Sequence, residues 1–168
     1  MSQAIFNQEE ILTIDSKILD DLKQKAAHSE MRRIRLCLHD SPDALVHEMI
    51  NVFYKDSYIR PHRHPAGKPE TYHMLEGEML TLIFNDTGEV LRKIHLSEKG
   101  KEHPFLIRTT AGIWHMPIPL SSQVVFKETF TGPFVKETDV EYASWSPAEN
   151  DAEKVAVYMR SLKAGFHH

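Results

Sequence analysis

The apolar positions of this chain change period along its length, and each period predicts an element. Near the N-terminus Ile14, Ile18, Leu22 and Ala26, with Leu19 beside them, recur at helical spacing. "RRIRLCLH" then reads as extended. In "SPDALVHEMINVFY", Ser41 is placed to accept a backbone amide as N-cap and Pro42 suits the first helical position. Leu45, Met49 and Val52 form a stripe behind them, so a second helix is predicted there. From about Ile59 the period becomes two. "TYHML", "MLTLIF", "EVLRKIHL", "PFLIRT" and "QVVFKETF" are short runs divided by Gly and Pro punctuation, and they predict antiparallel hairpins in a sandwich or small barrel. "SPAENDAEKVAVYMRSLKAG" returns to helix, with Ser146 and Glu149 as a capping box, Pro147 at the first position and Gly165 as the C-terminal cap. Val155, Tyr158, Met159 and Leu162 give that helix one apolar face.

The pattern makes the fold mainly β and one domain overall. Residues 1–55 form a helical segment packing on a barrel over 56–140, and 141–168 hold a C-terminal helix against the barrel or a second subunit. A chain of 168 residues with 41% hydrophobic and 26% charged residues suits a single packed core. Its net charge of −4, without a lysine and arginine stripe, argues against nucleic acid and anionic membrane as partners. No apolar stretch approaches the roughly 20 residues that span a bilayer. The start "MSQAIFNQEE" lacks the regions of a signal peptide, and the one cysteine, Cys37, reads as a small buried side chain. The cytoplasm is the expected compartment, and a homodimer the expected assembly.

Candidate chemistry begins at "RPHRHPAGKPETYHMLEG". With 11 histidines in 168 residues, chance alone places about 0.7 H-x-H pairs, so the pair has meaning only through geometry and partners. Strand alternation puts His62 and His64 on one face with Arg60, and turns Arg63 away. After the "PAGKP" turn, Glu70, Tyr72 and Met74 share a face that His73 does not. Gly77 permits the turn into the next strand. A third imidazole is available in "TAGIWHMP", where His115 follows a Gly that can start a strand. Three His and one Glu suit one divalent transition metal (Zn, Ni, Fe or Mn) and leave positions for water or substrate. His73 is the reserve ligand if Glu70 is misplaced; His28, His39, His47, His95 and His103 read as surface or hydrogen-bonded residues.

These residues also resemble a known family. "HRHPAGKPETYHMLEG" followed by "AGIWH" is similar to the two motifs of the cupin superfamily. "FNDTGEV", "VFKETFTGPF" and "SPDALVHEMINVFY" extend the resemblance to the WbuC-like cupin-fold metalloproteins over about residues 35–147. The resemblance implies a small β-barrel with a metal at its mouth, held by His62, His64, Glu70 and His115. One spacing differs from the family pattern: five residues separate His64 from Glu70.

Two further residues are candidates for catalysis. Arg60 can bind a carboxylate or phosphate bidentately, or pack structurally on an acidic partner. Glu128, between Phe126 and Phe130 on an inward face, is a proton carrier or the partner of Arg60, Arg92 or Arg108. The leading reading is a metal-dependent protein acting on a small polar molecule, and the family context implies a sugar or nucleotide-sugar of surface-polysaccharide synthesis. Its rivals are a non-haem iron dioxygenase and a non-catalytic module that binds metal or sugar.

Overall fold

A computed structural model describes residues 3–164. Eleven strands and three helices occur in the order β1 (Gln3–Phe6), α1 (Ser16–His28), β2 (Arg33–Cys37), β3 (Val46–Tyr54), β4 (His62–Arg63), β5 (Glu70–Glu76), β6 (Glu78–Phe84), β7 (Val90–Ser97), β8 (Leu106–Thr109), β9 (Trp114–Pro119), β10 (Gln123–Thr131), α2 (Lys136–Asp139), β11 (Glu141–Tyr142) and α3 (Ala152–Ala164). The strands form two facing sheets, one ordered β1-β2-β3-β10-β5-β8 and the other β11-β4-β9-β6-β7. Only β1 and β2 run parallel among the described pairs.

Alternation along the strands divides the apolar residues into an interior and two outer layers. Phe53, Tyr72, Met74, Val124 and Phe126 of the first sheet meet Met79 and Leu96 of the second between the sheets. Ile34, Leu36, Ile50, Val52 and Val125 point outward and are covered by α1 through Leu22 and Ala26. On the opposite outer face Leu80, Leu82, Phe84, Trp114, Met116 and Ile118 receive Val155, Tyr158, Met159 and Leu162 of α3. Each large apolar side chain so covered contributes about 1.5–3 kcal/mol. The α1 register is fixed by Asp15, whose Oδ1 accepts the Ile18 amide at 2.9 Å, while Ile14 and Leu19 on either side of that cap both join the outer core.

Two sequence expectations fail here. The segment read as a second helix is β3, paired along its length with β10 and in part with β2. Its apolar residues run continuously because Met49 and Phe53 face inward while Ile50 and Val52 face α1. A strand buried on both faces has no period of two to read, and the i, i+3 stripe is incidental. The sheet therefore takes in residues before 56, and the N-terminal segment is not purely helical. At the other end α3 starts six residues after Ser146: Asp151 Oδ1 accepts the Lys154 amide at 3.2 Å and acts as the cap. Ser146 instead donates to the Ala143 carbonyl, and Glu149 pairs with Arg33. The cap assigned to Gly165 lies outside the described residues.

The turn between β5 and β6 depends on Gly77, which has φ +79° and would place a Cβ 2.8 Å from the Gln123 carbonyl oxygen. This close crossing fixes the start of β6 against β10. Cys37 is buried beside Met49 and Phe130, and burial pushes its thiol up to about 11, which leaves it inert. No helix among the described residues is long and apolar enough to cross a membrane.

Candidate metal centre

Four side chains from both sheets meet inside one end of the barrel. His62 on β4 and His115 on β9 are directly opposite in the antiparallel register, with ring centroids 4.4 Å apart. His64 lies two residues further along the same face, and Glu70 enters from the first residue of β5 on the facing sheet. One ligating atom from each of His62, His64, Glu70 and His115 lies within 4.8 Å of the others, and all four residues are buried. The parity that puts Glu70, Tyr72 and Met74 on one face holds; His73 turns away and packs its ring 5.4 Å from Phe105. The extra loop residue before Glu70 leaves the strand register unshifted.

Backbone carbonyls orient all three imidazoles. His62 Nδ1 faces the Arg60 oxygen at 2.9 Å, His64 Nδ1 the Asp139 oxygen at 2.6 Å, and His115 Nδ1 the Ile113 oxygen at 2.9 Å. A carbonyl only accepts, so each Nδ1 carries the hydrogen and each neutral ring presents an Nε2 lone pair. The Asp139 carbonyl is itself positioned, since the Asp139 carboxylate accepts the Val135 amide and the Lys68 ammonium. This is the outer hydrogen bonding that fixes ring tautomers around a metal.

The converging atoms lack partners. His64 Nε2, His115 Nε2 and Glu70 Oε2 are buried without a hydrogen bond, and Arg35 Nε and Asn51 Oδ1 in the same interior are also unpaired. Three of the eight such side-chain atoms among the described residues thus lie within the one cluster. His115 Nε2 approaches Glu70 Oε2 to 2.8 Å without the alignment of a hydrogen bond. A lone pair and a carboxylate oxygen at that distance repel unless a cation lies between or beside them. The donor set, the orphaned atoms and the fixed tautomers fit a divalent metal.

The titration behaviour has the same origin. Burial, then the charges of neighbouring imidazoles, lowers His62 to about 3. For His64 burial acts downward, but the Glu70 carboxylate, 3.6 Å from Nε2, outweighs it and the net shift is upward. Burial acts upward on Glu70, yet the positive charge that His115 and His64 carry when protonated holds its carboxyl well below the usual carboxylate range. Glu128 is raised to about 8, by burial and then by the Glu70 charge.

Glu128 is half-buried, accepts from Asn51 Nδ2 at 2.9 Å, and lies within hydrogen-bonding reach of Glu70. Among the described residues it forms no ion pair with Arg60, Arg92 or Arg108; the charges that act downward on it come from Arg35 and His64. The Arg60 guanidinium takes neither an acidic side chain nor the interior. It donates to the Ala143 carbonyl at 2.7 Å and to Ser146 Oγ at 3.1 Å, and lies over the Tyr142 ring. Sequence reasoning passed over Arg35 and Asn51. Alternation in "RRIRLCLH" was the available signal, since it sends Arg33, Arg35 and Cys37 to one face and Ile34 and Leu36 to the other.

Comparison with known proteins identifies the architecture. An uncharacterized conserved protein with a double-stranded β-helix domain from Klebsiella pneumoniae is similar over 82% of this chain and 99% of its own, with 14% identity and a TM-score of 0.56. The fold is that of the cupins. Protein SO0799 from Shewanella oneidensis is similar over 73% of this chain and 82% of its own, at 12% identity and a TM-score of 0.57. The capsular polysaccharide assembling protein CapF from Staphylococcus aureus is similar over 64% of this chain and 29% of its own, at 14% identity and a TM-score of 0.53. Residues 14–96 match the family described as a domain of unknown function, DUF6016. No curated protein matches the chain by sequence.

Proposed function

We propose that this cupin binds one divalent transition metal through His62, His64, Glu70 and His115, and acts there on a small polar molecule. The observation that carries the reading is the convergence of three carbonyl-fixed imidazoles on one buried carboxylate, with their facing atoms left unpaired. A metal held by four protein donors with positions left open polarises a carbonyl or hydroxyl or activates water. The chain supplies the rest. Glu128, beside Glu70 and raised to about 8, is placed to hold or pass a proton at the edge of the site. Tyr72 stays protonated, mainly because it is buried and then because of the Glu70 charge. The apolar interior formed by Met74, Phe126 and Phe53 excludes water from the far side.

Within this reading the substrate is a sugar or sugar derivative of surface-polysaccharide synthesis. The WbuC-like sequence features and the likeness to the capsular polysaccharide assembling protein support it. The test has two stages. Metal content is measured on chain purified without a histidine tag, and the loaded chain is then incubated with a panel of nucleotide-sugars and free sugars while product is followed by mass spectrometry. Stoichiometric metal with turnover of a panel member supports the proposal. Metal-free protein, or metal-loaded protein that neither binds nor converts any of them, contradicts it.

A further inference from the structure

The chain between β10 and β11 passes over the end of the barrel that holds the histidine cluster. Its first residues are pinned: the Gly132 amide donates to the Leu45 carbonyl at 3.0 Å and the Phe134 amide to the Pro42 carbonyl at 2.8 Å. Its last residues join the sheet, where β11 pairs with β4. Between them α2 is a single turn, too short to be held in place by its own hydrogen bonds. Among the described residues two side chains of the barrel bond to residues 135–140, those of His64 and Lys68, and both end on Asp139. His64 Nδ1 donates to the Asp139 carbonyl at 2.6 Å, and Lys68 Nζ to Asp139 Oδ2 at 2.9 Å.

Local sequence aims Lys68. Residues 65–68 form a tight turn in which the Lys68 amide donates to the Pro65 carbonyl at 3.1 Å and Gly67 takes φ +82°, as the third position of a type II turn requires. Pro69 then favours an extended backbone at Lys68. This turn belongs to the five-residue connection between His64 and Glu70, where the chain departs from the family spacing. Lys68 also donates to the Pro133 carbonyl and stands over the Phe130 ring, 5.4 Å from its centroid. The Phe130 ring in turn lies 4.5 Å from that of His64. The lysine thus reaches His64 both through Asp139 and through Phe130. An exposed ion pair would hold little. Here the lysine and aspartate side chains are only 16% and 8% exposed, and Asp139 Oδ2 also accepts the Val135 amide at 2.8 Å, which fixes the carboxylate.

We infer that Lys68 is a positioning residue for the metal centre: by fixing Asp139 and Phe130 around His64 it aims the His64 Nε2 at the other donors and raises metal affinity without touching the ion. The inference rests on the metal reading of the cluster. Without the ammonium, the Asp139 carboxylate keeps only the bonds of its own turn, from Val135 and Thr138, and its carbonyl is free to drift from His64 Nδ1. A ring no longer held by its outer hydrogen bond must be ordered when metal binds, and affinity falls.

Two measurements on the full chain test the inference together: zinc affinity by competition with a chromophoric chelator, and exchange of the His64 Nδ1 proton by NMR on the metal-free protein. Lys68→Met is expected to weaken zinc about tenfold. It is also expected to speed exchange of that proton at least about tenfold, because the 2.6 Å bond is released. Lys68→Arg, which keeps the charge and the reach, is expected to stay near wild type in both. Unchanged zinc affinity in Lys68→Met overturns the inference. Weaker affinity with unchanged His64 exchange overturns it too, since the effect then bypasses His64, and so does a loss in Lys68→Arg as large as in Lys68→Met. If Lys68→Met does not fold, Asp139→Asn takes its place with the same expectations: an amide oxygen still accepts from Val135, and no charge remains for the lysine. Should wild type take up no zinc, the metal reading fails and the exchange measurement decides the rest: faster exchange in Lys68→Met supports the hold on His64, and equal exchange overturns it.

Discussion

The interior of this barrel has two ends with opposite physical character. At one, Phe53, Tyr72, Met74, Met79, Leu96, Val124 and Phe126 form a dry cluster in which Phe126 meets Phe53 and Tyr72 edge-to-face at 5.0 and 5.1 Å. At the other, His62, His64, Glu70 and His115 supply buried polar groups whose facing atoms include three without partners. The first end stabilises the fold through area removed from water and through aromatic geometry. The second costs stability, because each buried polar atom without a partner forfeits its hydration. Both are built from the same strands: Glu70 and Tyr72 are two residues apart on β5, and Phe126 and Glu128 two apart on β10. The difference teaches that the fold is secured by the apolar end and the two helix-covered outer faces, which leaves the polar end free to be specified by a ligand.

Mutation should separate the two ends. The largest effect is expected at the apolar end: Phe126→Ala should lower unfolding free energy by about 3–5 kcal/mol in denaturant titrations, while zinc per folded chain stays at the wild-type value. At the polar end His115→Ala should do the reverse. It should weaken zinc at least about 100-fold, by competition with a chromophoric chelator, because a buried bond to the metal is lost, and leave the metal-free fold intact by circular dichroism. Glu70→Gln keeps the shape and loses the charge, and a loss of about tenfold in zinc affinity is expected.

Acidity sharpens the contrast between two imidazoles of one cluster. In metal-free protein His64 is shifted up and His62 down to about 3. The His64 shift therefore contributes stability that is present below the unfolded pKa of about 6.5 and is lost as pH rises through its folded value. The His62 shift contributes stability present above about 6.5 and lost as pH falls toward 3. A proton on His64 competes with the metal, so zinc affinity should fall as pH drops through neutrality, with His64 protonating first. Nitrogen-detected imidazole NMR of the metal-free chain checks the order; His62 titrating above His64 would contradict it. The smallest effect is expected at His73, which faces away from the cluster: His73→Ala should change stability by no more than about 0.5 kcal/mol and zinc binding not at all.

Much of this division was legible in the sequence where one face of a strand is polar and the other apolar. "ETYHML" alternates cleanly, so the inward set Glu70, Tyr72 and Met74 and the outward His73 follow from parity alone. The H-x-H pair works in the same way. "VHEMINVFY" was opaque because both faces of β3 are buried, one under α1 and one in the barrel, so hydrophobicity carries no period. The α3 start was misplaced because two residues suited to a capping box, Ser146 and Glu149, serve Arg60 and Arg33 across the fold. No local pattern distinguishes a cap from a tertiary partner. Glu128 was recognised as an inward carboxyl, but its neighbours Asn51 and Arg35 come from β3 and β2, more than seventy residues earlier in the chain.

The central claim is that the buried cluster exists to hold a metal ion, and elemental analysis with an anomalous difference map tests it most directly. Wild-type chain, produced without a histidine tag and equilibrated with zinc, is predicted to carry one ion per chain. The anomalous peak should lie among His62, His64, Glu70 and His115, and His115→Ala should carry none. Wild-type protein without stoichiometric zinc, nickel, iron or manganese, or a peak that survives unchanged in His115→Ala, would contradict the account.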